Sequence, residues 1–68
     1  MRQVILSQDE DGFWVAEVLS LPGCNSQGET REEAIANILD AIAGYLDVLK
    51  DAGMPIPDET HEVVMLNI

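Results

Sequence analysis

The segment 21–34 constrains the fold of this 68-residue chain more than any other part of the sequence. It contains the turn dipeptide Pro22-Gly23, in which proline presets φ and glycine accepts a positive φ. Gly28 interrupts the chain again, and Thr30 and Glu33 have the spacing of a capping box, in which each side chain binds a backbone N–H near a helix start. The segment therefore predicts a turn, a short strand, a second turn and a capped helix.

Three short strands are predicted around this segment. Residues 4–6 and 13–19 are apolar runs of strand length, and residues 24–27 form a third, shorter candidate. Asp11-Gly12 is typical of a hairpin turn, so the strands should form an antiparallel meander. Two prolines near position 56 predict an extended segment. Residues 61–68 then predict a last strand.

One long helix is predicted over residues 31–52, with Gly53 as its C′ residue. At helical spacing, one aliphatic stripe should cover the sheet, and a second apolar group lies beside it. The second group indicates either the helix propensity of alanine or a subunit contact through Tyr45 or Val48. The stripe is Ile35, Ile38, Leu39, Ile42, Leu46 and Leu49, and the second group is Ala34, Ala41, Tyr45, Val48 and Ala52.

The connections predict an α+β fold in the order β-β-β-α-β. An antiparallel meander is followed by one crossover helix and a last strand parallel to the first. Because one helix covers one face of the sheet, the other face carries either the Phe13, Val15 and Glu17 set or the Trp14, Ala16 and Val18 set. Neither set is polar enough for water. We therefore expect a homo-oligomer, a dimer or tetramer, with Phe13 and Val15 as interface candidates alternative to Tyr45 and Val48.

A chain of this size has a marginal core and usually needs a disulfide, a metal or assembly. Its single cysteine excludes an internal disulfide, and one histidine with one cysteine does not make a zinc site, which leaves oligomerisation or a partner protein. The opening residues do not resemble a signal peptide, and the apolar stretches are too short to span a bilayer. We expect a soluble cytoplasmic protein.

The charge is strongly acidic, with 13 acidic against 3 basic residues and a net charge of −10. Such a surface repels phosphate, which argues against direct nucleic-acid binding. It either keeps a small apolar protein in solution or attracts a basic partner.

No residue pattern predicts catalysis. Cys24 and His61 are the only thiol and the only imidazole, and a lone cysteine is more often a small buried hydrophobe than a nucleophile. The carboxylates of residues 9–11 fall in a turn, and Glu17 is alone on its strand, so no two-metal site is predicted. We expect no enzyme, no metal and no cofactor.

The hairpin, the Leu21-Pro22-Gly23-Cys24 turn, the helix entry at Gly28 and Thr30, and the Pro55-Ile56-Pro57 exit together resemble the HicB family. The resemblance implies a small antitoxin with a degraded ribonuclease-H-like fold. We expect a single HicB-like domain over residues 1–68 and, in contrast to many members of the family, no C-terminal DNA-binding domain. It also implies a partner, a small basic HicA-like toxin that cleaves messenger RNA and that the antitoxin binds and neutralises.

An orphan oligomeric domain of the same fold is the alternative, with no toxin partner and with another protein or a small ligand bound instead. If a toxin exists, the hairpin carboxylates should steer it and a nearby aromatic residue should anchor it. The alternative for that aromatic residue is packing in the core under the helix. The partner-binding candidates are Asp9, Glu10, Asp11 and Trp14.

Overall fold

The computed structural model describes residues 2–59, 62, 64, 66 and 67. These residues form β1 (Ile5–Gln8), β2 (Trp14–Glu17), β3 (Asn25–Gly28) and α1 (Arg31–Asp51). The strands pair antiparallel in the order β1-β2-β3, which confirms the predicted meander and the α+β class. The predicted last strand includes residues 61, 63, 65 and 68, which lie outside the described residues.

The hairpin between β1 and β2 is organised by Asp9. Its carboxylate oxygen Oδ1 accepts hydrogen bonds from the N–H groups of Asp11 and Phe13, both at 2.9 Å. The Gly12 N–H donates to the Asp9 carbonyl, and Gly12 has a φ of 90°, which a side chain would disfavour. The hairpin predicted from Asp11-Gly12 is confirmed, although Gln8 belongs to β1 and not to the turn.

The turn between β2 and β3 brings the chain back under the helix. Cys24 donates its N–H to the Leu21 carbonyl at 2.9 Å, and Gly23 has a φ of 81°, as the third residue of a type II turn requires. Leu21 is fully buried at the start of this turn. The turn predicted from Pro22-Gly23 is therefore confirmed, and it contributes an apolar side chain to the core.

The helix begins at the predicted cap. Thr30 Oγ1 accepts the Glu33 N–H at 3.1 Å, and the Glu33 carboxylate accepts the Glu29 N–H at 3.4 Å. The return bond of the capping box thus reaches the residue before Thr30. Gly28 lies directly against this first turn: a Cβ built on it would come within 2.6 Å of the Ala34 nitrogen. Close approach to the helix, and not a positive φ, explains this glycine.

The helix ends in a Schellman motif. Gly53 has a φ of 68° and donates its N–H to the Lys50 carbonyl, while Met54 donates to the Leu49 carbonyl. The C′ position predicted for Gly53 is confirmed. Ala52 is the C-cap, one residue beyond the last helical residue, Asp51.

The helix packs on the sheet through part of the predicted stripe: Ile38, Ile42 and Leu46 lie in or against the core, and the packing face is otherwise rotated toward the alanine side. Leu39 is 61% exposed, so its placement in the core is wrong. Ala34 is fully buried, and Tyr45 packs against the core, so these two do not form a separate flank. Small alanines let the helix backbone approach the sheet closely, which turns the helix toward the alanine side. The helical residues in or against the core are Ala34, Ile38, Ala41, Ile42, Tyr45 and Leu46.

The sheet presents Ala16 and Val18 to the helix, and both are essentially inaccessible to solvent. The register places Leu6 opposite Ala16 on the same face. By strand alternation, Val15 and Glu17 belong to the opposite face, which the helix does not cover. The structure therefore resolves the two alternatives: the set that contains Trp14, Ala16 and Val18 packs under the helix.

One side chain of the helix reaches the outer edge of the sheet. Asn37 donates its Nδ2 hydrogen to the Gln27 carbonyl in β3 at 2.8 Å. Among the described strands, β3 pairs on one side only, with β2. The helix is thus joined to the sheet by a polar contact as well as by the apolar core.

Candidate interaction surfaces

Cys24 is buried, at 4% exposure, which agrees with the expectation that this lone cysteine is a small buried hydrophobe. Burial raises the pKa of the Cys24 thiol, which disfavours the reactive thiolate. His61 lies outside the described residues. Among the residues that the structure describes, no three His, Cys, Asp or Glu side chains form a group that could hold a metal ion.

The carboxylates of the acidic hairpin differ in whether they accept hydrogen bonds from the backbone of the turn. Asp9 is exposed, but its carboxylate is occupied by the two backbone N–H groups of its own turn. Glu10 and Asp11 are exposed at the tip of the same turn. Their charge projects into solvent, whereas Asp9 sets the shape of the loop that carries them.

Trp14 is half-buried and packs against the core under the helix. Its position agrees with the packing alternative from the sequence, and part of its surface is still accessible. As a partner anchor it stays a prediction, because the same side chain contributes to the fold.

The sheet face that the helix does not cover carries apolar side chains. Val15 and Ile5 are half-buried, and Phe13, at the entry to β2, is 39% exposed. Glu17 is exposed on the same face. This uncovered sheet face is a candidate surface for self-association, since it combines accessible apolar area with one carboxylate among the residues of β2.

A second apolar surface lies between the C-terminal half of α1 and the turn that precedes β3. It is a groove of about 490 Å³, here called the helix groove. Tyr45 lines the groove and is held in place by donating its hydroxyl hydrogen to the Pro22 carbonyl at 3.0 Å. Val48 also lines it and is 68% exposed. The groove is lined by Gly23, Cys24, Asn25, Ala41, Gly44, Tyr45, Val48 and Leu49.

Sequence reasoning named Tyr45 and Val48 but missed that the 21–25 turn faces them. It also missed Gly44, which lines the groove from the middle of the helix. The signal was present in the sequence, because a glycine inside a helix rich in alanine and leucine costs about 1 kcal/mol relative to alanine and needs a reason.

The structure thus shows exposed carboxylates and two apolar surfaces, a set of features suited to binding another protein. Of the helical residues that the structure describes, none form a segment long and apolar enough to cross a membrane.

Several known proteins resemble this chain over most of its length. A UPF0150 protein of Thermoplasma acidophilum is 42% identical over 64 residues, covering 94% of this chain and 93% of the relative. A UPF0150 protein of Synechocystis is 43% identical over 65 residues, covering 96% and 82%. A UPF0150 protein of Helicobacter pylori is 46% identical over 60 residues, covering 88% and 82%.

The family match spans the whole described fold. The family described as HicB-like antitoxin of bacterial toxin-antitoxin systems matches residues 3–67, which include the hairpin, the capped helix and its exit. This confirms the resemblance seen in the turns and caps. The chain belongs to the HicB-like antitoxin family.

Proposed function

We propose that this chain binds and neutralises a small basic HicA-like toxin that cleaves messenger RNA in the cytoplasm. The observation that carries the proposal is the net charge of −10 on a member of an antitoxin family. A toxin that binds RNA phosphates presents positive charge, and an acidic surface attracts and covers it. Neutralisation by covering requires binding and no catalysis, which fits the burial of the Cys24 thiol.

Of the four predicted partner-binding residues, we assign the steering role to Glu10 and Asp11. Both are exposed, whereas Asp9 is held by its own turn and Trp14 packs on the core. Two carboxylates at a loop tip add their fields over the distance at which a basic protein first approaches. Their contribution should appear in the association rate more than in the lifetime of the complex.

The test uses the chain and a candidate basic toxin encoded beside its gene. Co-expression of the two should restore growth that the toxin alone arrests. Glu10→Gln with Asp11→Asn should lower the association rate at low salt by a factor of about two to ten, with a smaller change in the dissociation rate. Glu29→Gln with Glu32→Gln is the matched control, since it removes the same charge elsewhere. If neither growth rescue nor a complex is observed, the function is wrong; equal rates for both variants would remove steering from the hairpin.

We also propose that the chain self-associates through the uncovered sheet face. Phe13, Val15 and Ile5 place accessible apolar surface there, and a domain this small gains core from a second copy. Light scattering should then report a dimer or tetramer for the parent. Val15→Lys should convert the oligomer to a monomer, and Val48→Lys should leave the oligomer intact. A monomeric parent contradicts the proposal, and dissociation by Val48→Lys alone would move the interface to the helix.

We propose that the whole chain has a ribonuclease-H-like β-β-β-α-β fold, with a last strand parallel to β1. Glu59 accepts the Gln3 N–H at 2.7 Å, so the chain after the helix returns to the N-terminal end of β1. A strand that starts there and follows β1 runs parallel to it, by a crossover through α1.

The second candidate function is an orphan oligomeric domain without a toxin. The helix groove favours it, because a volume of about 490 Å³ is within the range of small-ligand sites. A chain that oligomerises but binds no basic neighbour would support this alternative.

A further inference from the structure

The helix groove contains a glycine that nothing within the described chain requires. Gly44 lies in the interior of α1, and a Cβ built on it meets no atom within 4 Å. Its φ is not positive, in contrast to Gly12, Gly23 and Gly53. A glycine at this position lowers helix stability by about 1 kcal/mol relative to alanine, and neither a turn nor a contact within the described chain requires it. Another molecule that packs closely against the helix at this position explains why the residue is a glycine.

The groove beside Gly44 is apolar, and one of its side chains is fixed by a hydrogen bond. Of the described residues that line it, none is charged, and Val48 is 68% exposed. The hydroxyl bond from Tyr45 to the Pro22 carbonyl fixes Tyr45 against the turn. A partner side chain that enters the groove therefore meets a preformed surface, and ordering costs on this side are small.

Acidic side chains flank the groove along the helix. Asp40, Asp47 and Asp51 are exposed and, at about 100° per residue, lie within roughly 60° of Gly44 around the helix axis. Among the described residues none of these three carboxylates is ion-paired. Lys50, the basic residue of the last turn, lies about 120° from Gly44 on the far side. The rim therefore presents a row of unpaired negative charge.

This charge decides between occupants. A second copy of the chain docked in the groove would place its own acidic row against the same row, a repulsion that the sheet face, with Glu17 as the one carboxylate of β2, largely avoids. Like charges brought together at an interface cost free energy and disfavour that partner. A basic partner is favoured by the apolar groove and by its acidic rim, because its apolar side chains fill the groove while its lysines or arginines contact the carboxylates of the rim.

We propose that the helix groove docks a basic amphipathic helix of the partner protein, packed closely across Gly44. Two helices approach as closely as the side chains at their crossing allow, and glycine allows the closest approach. An apolar helix face laid in a groove, with charges at the edge, is a common mode of peptide recognition. The proposal rests on the proposed function, since that function supplies the basic partner, and it assigns the partner to the helix and not to the sheet.

The experiment compares Gly44→Gln with Ala43→Gln. A Cβ at position 44 meets no described atom within 4 Å, and glutamine has a higher helix propensity than glycine, so we expect the fold to be retained. Ala43 is exposed outside the groove and receives the same side chain. The probe is a synthetic peptide with leucine at helical spacing and lysine and alanine elsewhere, and a second peptide carries glutamate in place of lysine. Backbone amide shifts in NMR spectra locate the bound peptide.

We expect the lysine peptide to shift the amides of Gly23, Gly44 and Tyr45, and the glutamate peptide not to bind. Gly44→Gln should weaken the lysine peptide at least about tenfold, or roughly 1.4 kcal/mol, and Ala43→Gln should leave it within about twofold. Shifts confined to the hairpin or the sheet face overturn the proposal, as does an absence of binding. Concentration-dependent shifts at Gly44 in the free chain would identify a second copy as the occupant and also overturn it.

The same two variants separate this proposal from the proposed function. If the toxin binds both variants as well as the parent, the function stands and the groove is not the docking site. If the lysine peptide binds the groove but no toxin forms a complex, the groove is a helix-docking site and the antitoxin function fails.

Discussion

Ile38→Ala is expected to destabilise the fold by about 2–5 kcal/mol, whereas Leu39→Ala is expected to change stability by less than about 0.5 kcal/mol. The two residues are neighbours with nearly the same apolar side chain, but Ile38 is 1% exposed and Leu39 is 61% exposed. Truncating Ile38 leaves a cavity between the helix and the sheet. Truncating Leu39 removes atoms that already contact water.

The loss expected for Ile38→Ala is large relative to the total stability of a domain this small. A chain of 68 residues is expected to have a total stability of roughly 3–10 kcal/mol, so the loss of Ile38 removes a large part of it. Urea unfolding followed by circular dichroism, at one fixed protein concentration, measures both variants. A loss for Leu39→Ala as large as that for Ile38→Ala would mean that the helix packs through the whole stripe predicted from periodicity.

Gly28→Ala is expected to be the most damaging exchange of a glycine, with a cost of about 1–3 kcal/mol or more. The new Cβ would lie 2.6 Å from the Ala34 nitrogen and 2.9 Å from the Glu33 carbonyl carbon, which are backbone atoms of the first helical turn. These atoms are held by the Thr30 cap and cannot move without opening it. The steric clash therefore acts on the helix start as a whole.

Gly44→Ala is the matched control for this prediction. The same methyl group at position 44 meets nothing within 4 Å, so the substitution should stabilise the chain by about 1 kcal/mol through helix propensity. Thermal melts of the two variants should shift in opposite directions. A stabilised Gly28→Ala variant would contradict the close contact between β3 and α1.

Local signals in the sequence predicted most of the described fold. The turn at Pro22-Gly23, the cap at Thr30 and the stop at Gly53 each depend on residues a few positions apart, and all three are confirmed. The rotation of the helix was not predictable in the same way. Periodicity ranks positions by side-chain hydrophobicity, whereas the packing at Ala34 depends on how closely two backbones approach.

The candidate surfaces were likewise predictable from the sequence only where they depend on neighbouring residues. Exposure of Glu10 and Asp11 followed from their place in a turn, but the capture of the Asp9 carboxylate by its own loop did not. The helix groove forms only when the turn before β3 meets the helix half-way along, at residues some twenty positions apart in sequence. No local sequence pattern predicts a contact between residues this far apart, so the role of Gly44 could be interpreted only from the structure around it.

The hydrogen bond from the Asn37 amide to the Gln27 carbonyl has a consequence for aggregation. Strands at the border of a sheet expose backbone groups that attract strands of other molecules, and proteins suppress such growth by blocking them. Here the blocking group is a side chain of the helix, anchored by the folded core. An invading strand would have to displace this amide and leave it without its acceptor. Protection against fibril-like stacking is therefore tied to the integrity of the helix, and local melting at its first turns would expose the border of β3.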